Sequence, residues 1–159
     1  MNLKVIASPQ HLLRRWWPLL LSCAYMLHLA EEWWGGEGFV AWTARALGRQ
    51  VSPNRFLVLN GLVWPLFTFL TVLAIKKPAL LWFPVTFSTV VVVNATLHVL
   101  GSFASVSYSP GVATGLLLYL PVGTFGLVAG WRQLPQPRFG LAVLLGILIH
   151  AAVAVIALA

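Results

Sequence analysis

Long apolar runs dictate what this chain can become. Segments 54–75, 78–100, 110–131 and 139–158 are each about 20 residues long and almost free of charge. A run of that length matches the hydrocarbon core of a bilayer when it is helical. A fifth segment, 16–34, is apolar until it meets His28, Glu31 and Glu32. The expected fold is all-α: residues 1–159 as one polytopic membrane bundle of five transmembrane helices. Only 8% of residues are charged, against about 25% in soluble domains. Between the first two spans, Phe39, Val40, Trp42, Ala46 and Leu47 fall opposite Arg45 and Arg49. That pattern predicts a short interfacial helix lying on the membrane.

Turn chemistry supports these boundaries. Ser52-Pro53 reads as an N-cap followed by proline at the first helical position. Pro65, Pro84 and Pro121 fall inside spans two, three and four and predict local kinks. Gly126 and Gly130 form a G-x-x-x-G, a close-packing face for a neighbouring helix that says little about oligomeric state, so a homodimer stays open as a partner. The single Cys23 excludes an intrachain disulfide and reads as a small filler in the first span.

The net charge of +7 does not indicate nucleic acid. The basic residues are scattered, and no stripe of them alternates with exposed aromatics. They read instead as topology determinants. Lys4, Arg14, Arg15, Lys76, Lys77, Arg132 and Arg138 fall on one side of the predicted membrane, and Arg45, Arg49 and Arg55 on the other. The positive-inside rule therefore places the N-terminus in the cytoplasm and the C-terminus outside.

That orientation gathers the polar residues. His28, Glu31 and Glu32 lie near the outer end of span one. Asn94 and His98, an i, i+4 pair, lie near the outer end of span three. His150 on span five, Asn60 on span two, and Tyr108 before span four fall in the same half. Glu31, Glu32 and Glu37 are the only carboxylates in the chain. Placing carboxylates near lipid is costly unless they are paired, protonated or bound to metal. Glu37, flanked by glycines, reads as solvent-facing.

Two chemistries fit His28, Glu31, Glu32, Asn94 and His98 as a catalytic set. Adjacent glutamates in low dielectric share a proton, giving an acid beside a base with no cofactor. Alternatively His28, Glu31, Glu32 and His98 ligate a single divalent metal, Zn, Mn or Fe. Trp33, Trp64, Asn60, Tyr108 and His150 are candidate substrate-binding residues. Trp33 and Trp64 offer aromatic faces to a developing cation, although Trp33 also suits an interfacial belt.

His28-Leu29-Ala30-Glu31-Glu32 with Asn94-Ala95-Thr96-Leu97-His98 resembles the HXXEE family of small integral membrane proteins. The resemblance runs from span one through span four, and Tyr108-Ser109-Pro110-Gly111 is similar to a further family feature. It implies a shared site at His28, Glu31, Glu32, Asn94 and His98 and supplies no reaction.

The leading expectation is an intramembrane enzyme acting on a lipophilic terpenoid, sterol-like or lipid substrate. Isomerisation, cyclisation or ring opening by acid–base chemistry suits that site. A metal-dependent membrane hydrolase or oxidase is the first alternative. A metal-ion or proton-coupled transporter is the second, and an accessory subunit using Gly126 and Gly130 is the third. The transporter reading lacks an internal repeat, and its polar residues stop in the outer half.

Overall fold

The computed structural model describes residues 9–158, with side chains from 16 to 157. Lys4, one of the basic residues counted for orientation, lies outside the described residues. The described chain is all-helical. Helix α1 is Pro9–Trp34, α2 is Phe39–Leu47 and α3 is Pro53–Lys76. A 3-10 turn, Pro78–Leu80, leads into α4, Trp82–Ser105. Helix α5 is Val112–Gln133 and α6 is Gln136–Leu158.

Four helical stretches among the described residues are long and apolar enough to cross a membrane: 53–76, 78–105, 112–133 and 136–157. Helix α1 has 26 residues, about 39 Å at 1.5 Å per residue. Its length would serve, but its polar end dilutes its apolar character. Leu62, Leu66 and Phe69 on α3 are at least 60% exposed, and Leu141 on α6 is 65% exposed. A surface so apolar over so much of its extent needs a cover other than water.

Helix α4 is the centre of the bundle. It packs most extensively against α5 and α6, while α1 pairs with α3. Trp17, Leu21, Phe67, Phe87, Val91, Ala95 and Tyr119 form the core between them. Small residues let α4 be approached closely. A Cβ added at Gly126 would lie 2.6 Å from the Trp17 ring, and one at Gly123 would lie 2.9 Å from Val91. Gly130 abuts Val85. The G-x-x-x-G of the sequence thus faces inward, onto α1 and α4, and does not offer those glycines to a second copy. We expect Gly126→Val to destabilise the fold by about 3 kcal/mol, because Trp17 is buried and cannot retreat. Thermal unfolding in detergent would show it as a lowered midpoint with unchanged helicity below the transition.

The prolines act differently from one another. Pro65 lies within α3, as expected, and Pro18 lies within α1. Pro84 falls in the first turn of α4, where no hydrogen bond is lost. Pro121 follows a π-helical stretch, Gly115–Tyr119. Its ring would crowd the carbonyl four residues earlier, and the widened turn relieves that contact. Ser52 caps α3 as predicted, accepting from the Arg55 amide at 3.4 Å with Pro53 at the first position. Cys23 is exposed and fills no internal space.

Helix α4 ends on a strained residue. Val106 has φ +47°, a left-handed conformation that β-branched side chains avoid. Its side chain is 93% exposed, so no packing compensates. Val106→Gly should raise stability by about 1 kcal/mol. An unchanged or lower unfolding midpoint would contradict this reading of the turn.

Candidate functional site

Helical spacing puts His28 and Glu32 one turn apart on the face of α1 that meets α4. Their side chains are almost fully buried, as is that of His98 on α4. Nε2 of His28 lies 3.5 Å from Oε1 of Glu32, and Nε2 of His98 lies 3.2 Å from the same oxygen. The two imidazoles meet edge to face with centroids 5.0 Å apart.

Both rings are held from behind. His28 Nδ1 lies 2.8 Å from Thr114 Oγ1, and His98 Nδ1 lies 3.0 Å from Ser109 Oγ. Tyr119 stacks on His28 at 4.1 Å, and Phe39 of α2 lies 5.5 Å from His98. Gly111, at φ +104°, closes the back of the site. A Cβ there would lie 2.8 Å from Cε1 of both histidines. The segment Tyr108-Ser109-Pro110-Gly111 therefore fixes the imidazoles through one hydroxyl and one missing side chain.

Glu31 goes elsewhere. Adjacent residues on a helix diverge by about 100°. Glu32 turns inward, and Glu31 turns to the start of α5. There its carboxylate accepts from the amides of Ala113 at 2.9 Å and Thr114 at 2.6 Å. It also accepts from the hydroxyls of Tyr108 and Thr114. The first amides of a helix lack partners within it, and a carboxylate from another helix satisfies two of them here. Partial desolvation and the bond to Glu31 push the Tyr108 pKa up to about 12, so this hydroxyl remains a donor at neutral pH. The two glutamates expected to share a proton are thus committed to different partners.

A cavity of about 470 Å³ opens from the His28–Glu32–His98 cluster. Asn94 lines it, and the buried Oδ1 of Asn94 has no hydrogen-bond partner. Asn60 and His150 line it as well. Asn60 accepts from the Tyr25 hydroxyl at 2.5 Å and donates to Phe56 O at 2.9 Å. Most of the remaining wall is apolar. Nothing on α3 beyond Val63, on α4 before Phe87 or on α6 before Ile149 takes part, so the cavity stops short of the far end of the bundle and reaches deepest along α4.

Three expected substrate contacts lie outside this wall. Trp33 stacks on Phe56 at 5.8 Å. Trp64 donates to the Ser22 carbonyl at 3.1 Å. Tyr108 serves Glu31. Glu37 is exposed and pairs with Arg45 at 2.5 Å, which holds its carboxyl below the usual range. Tyr25, Tyr119 and Thr114 were not legible as site residues. Tyr25 precedes His28 by three positions and so shares its face, which was the available signal. No spacing links Thr114 to His28.

Fold and site together define an all-helical bundle of membrane type with a buried histidine–glutamate–histidine cluster at the head of an apolar cavity. The chain belongs to the HXXEE family, described as "Protein of unknown function with HXXEE motif", whose model matches residues 19–126. The match takes in both histidines, both glutamates and the loop that holds them, and it ends within α5. No curated protein matches the chain, and no solved structure matches it.

Proposed function

We propose that this protein is an intramembrane enzyme that transforms the polar end of a lipophilic small molecule. The observation that carries the reading is the union of an apolar cavity with a buried cluster of ionisable groups at its end. Ligand sites are mostly apolar with a few convergent polar groups, and this one has that character. Its volume suits a terpenoid, a sterol-like molecule or part of a lipid chain.

In this reading α1 is the fifth span and α2 lies at the membrane surface, with Phe39 and Trp42 roofing the cavity. The N-terminus is cytoplasmic and the site lies in the outer half. Leu47, Leu97, Leu100 and Ile149 are lining residues that are also exposed, and they form an apolar rim suited to entry from lipid. Glu32 is the carboxylate of the reacting centre. His28 and His98 complete that centre, and Asn94 orients a substrate hydroxyl or carbonyl. Glu31 is a positioning residue, because its oxygens are occupied by α5.

A cavity that stops short of the far end of the bundle favours an enzyme over a carrier, which needs a path continuing to the other face. The test is conversion. Purified chain in lipid nanodiscs, given a lipid extract from its native host, should deplete one lipophilic component and yield another by mass spectrometry. His98→Ala protein of equal helicity should leave the extract unchanged. An extract equally unchanged by the wild-type chain would contradict the proposal.

A further inference from the structure

We propose that His28, Glu32 and His98 bind one divalent first-row transition-metal ion, of the borderline class that Zn²⁺ and Fe²⁺ represent. The proposal deepens the enzyme reading and rests on its choice of reacting centre. The three side chains bring one ligand atom each to within 4.8 Å of one another, all in buried surroundings. Two imidazoles with one carboxylate match the nitrogen–oxygen sets that bind these ions.

The hydrogen bonds behind His28 determine its tautomer. Thr114 has one hydroxyl proton and gives it to Glu31. Toward His28 it can then only accept, so Nδ1 carries a proton, and in the neutral imidazole Nε2 presents a lone pair. That Nε2 is buried with no hydrogen-bond partner. It faces a carboxylate oxygen at 3.5 Å. Two lone pairs opposed in a dry site are unfavourable unless a cation lies between them.

The spacing at His28 favours a metal over a proton. Charge-assisted N–H···O bonds run to about 2.7–2.9 Å. The 3.5 Å at His28 is longer than any ordinary N–H···O bond, whereas the 3.2 Å at His98 lies at the long end of the ordinary range. Ligands at about 2.0–2.1 Å from a tetrahedral ion lie about 3.3 Å apart, between the two observed values. Thr114 and Ser109 supply the outer hydrogen bonds that metal-binding histidines usually have. Glu31 is excluded from the set by its bonds to α5. Three protein ligands leave a coordination position free, as catalytic sites do, and Asn94 with its unpartnered Oδ1 lines the adjoining cavity. An ion held there supplies Lewis acidity toward a substrate oxygen or an acidified bound water.

The test uses full-length protein without a polyhistidine tag, purified in mild detergent and stripped with chelator. Zn²⁺ and, anaerobically, Fe²⁺ are added separately, and bound metal is measured by equilibrium dialysis with elemental analysis. Wild type should take up one equivalent of at least one ion. Affinity should fall at least about 100-fold in Glu32→Gln and in His98→Ala, and about 10–100-fold in Thr114→Val. Folded wild type that binds neither ion at micromolar concentration would overturn the proposal. So would one equivalent retained equally by every variant. Co²⁺ loading of wild type covers the case of variants that do not fold. Intense visible bands of a low-coordinate site support the assignment, and only weak octahedral bands overturn it. Substrate conversion by metal-free protein would remove the metal and leave the enzyme; stoichiometric metal without any conversion would do the reverse.

Discussion

Glu32→Gln should abolish turnover, by about 10³-fold, while leaving the bundle folded. Glu32 is 8% exposed and contacts both site histidines through one oxygen. Glutamine keeps its shape and removes its charge and basicity. Loss of a positioned acid–base group typically costs about 10²–10⁴-fold. The structural cost should be small, within about 1 kcal/mol, because replacing a desolvated charge relieves a penalty as well as removing an attraction. Product formation measured beside thermal unfolding separates the two effects. Equal turnover in the variant would remove Glu32 from the chemistry.

Glu31→Ala should fail in the opposite way. Four donors end on this carboxylate: two amides and two hydroxyls. Without it the first turn of α5 loses its cap and Thr114 loses the partner that fixes its proton. Bonds to a charged acceptor contribute about 1.5–3 kcal/mol each, and partial exposure discounts the sum. We expect a loss of about 2–4 kcal/mol, seen as a lower unfolding midpoint. Activity per folded molecule should fall less than in Glu32→Gln, because His28 is repositioned but remains present. The milder Glu31→Gln should recover part of the stability, since its amide oxygen still accepts from two of the donors. If Glu31→Ala were as stable as wild type, the account of α1 pinning α5 would be wrong.

These two residues show what the sequence could and could not disclose. The i, i+4 spacings of His28–Glu32 and Asn94–His98 follow from helix geometry, and each helix presents its pair on one face. That two such faces meet was inferable from topology, which placed them at one level of the bundle. Which neighbour Glu31 turns to was not inferable. It depends on the packing angle of α1, and on a loop that brings Thr114 back to Glu31 across 83 positions of chain. The long helices were legible because their length and apolarity are set by a simple physical requirement. The central place of α4 was not, since every apolar run looks alike in sequence. Its marker was present in the glycines: Gly123, Gly126 and Gly130 recur at intervals that permit close approach, but only the structure shows α4 as the helix they admit. Beside Pro121, where a kink was expected, the helix carries a π-helical bulge, and Tyr119 in it stacks on His28.

The same division explains the motif. Its histidine and second glutamate form the buried cluster, and its first glutamate secures the helix that supports that histidine from behind. The most direct test compares lipid profiles of native-host cells lacking this chain and carrying either the wild-type or the Glu32→Gln form at equal membrane levels. The account predicts a lipophilic product present with wild type and absent with Glu32→Gln, together with accumulation of its precursor. Identical profiles in the two strains would contradict it.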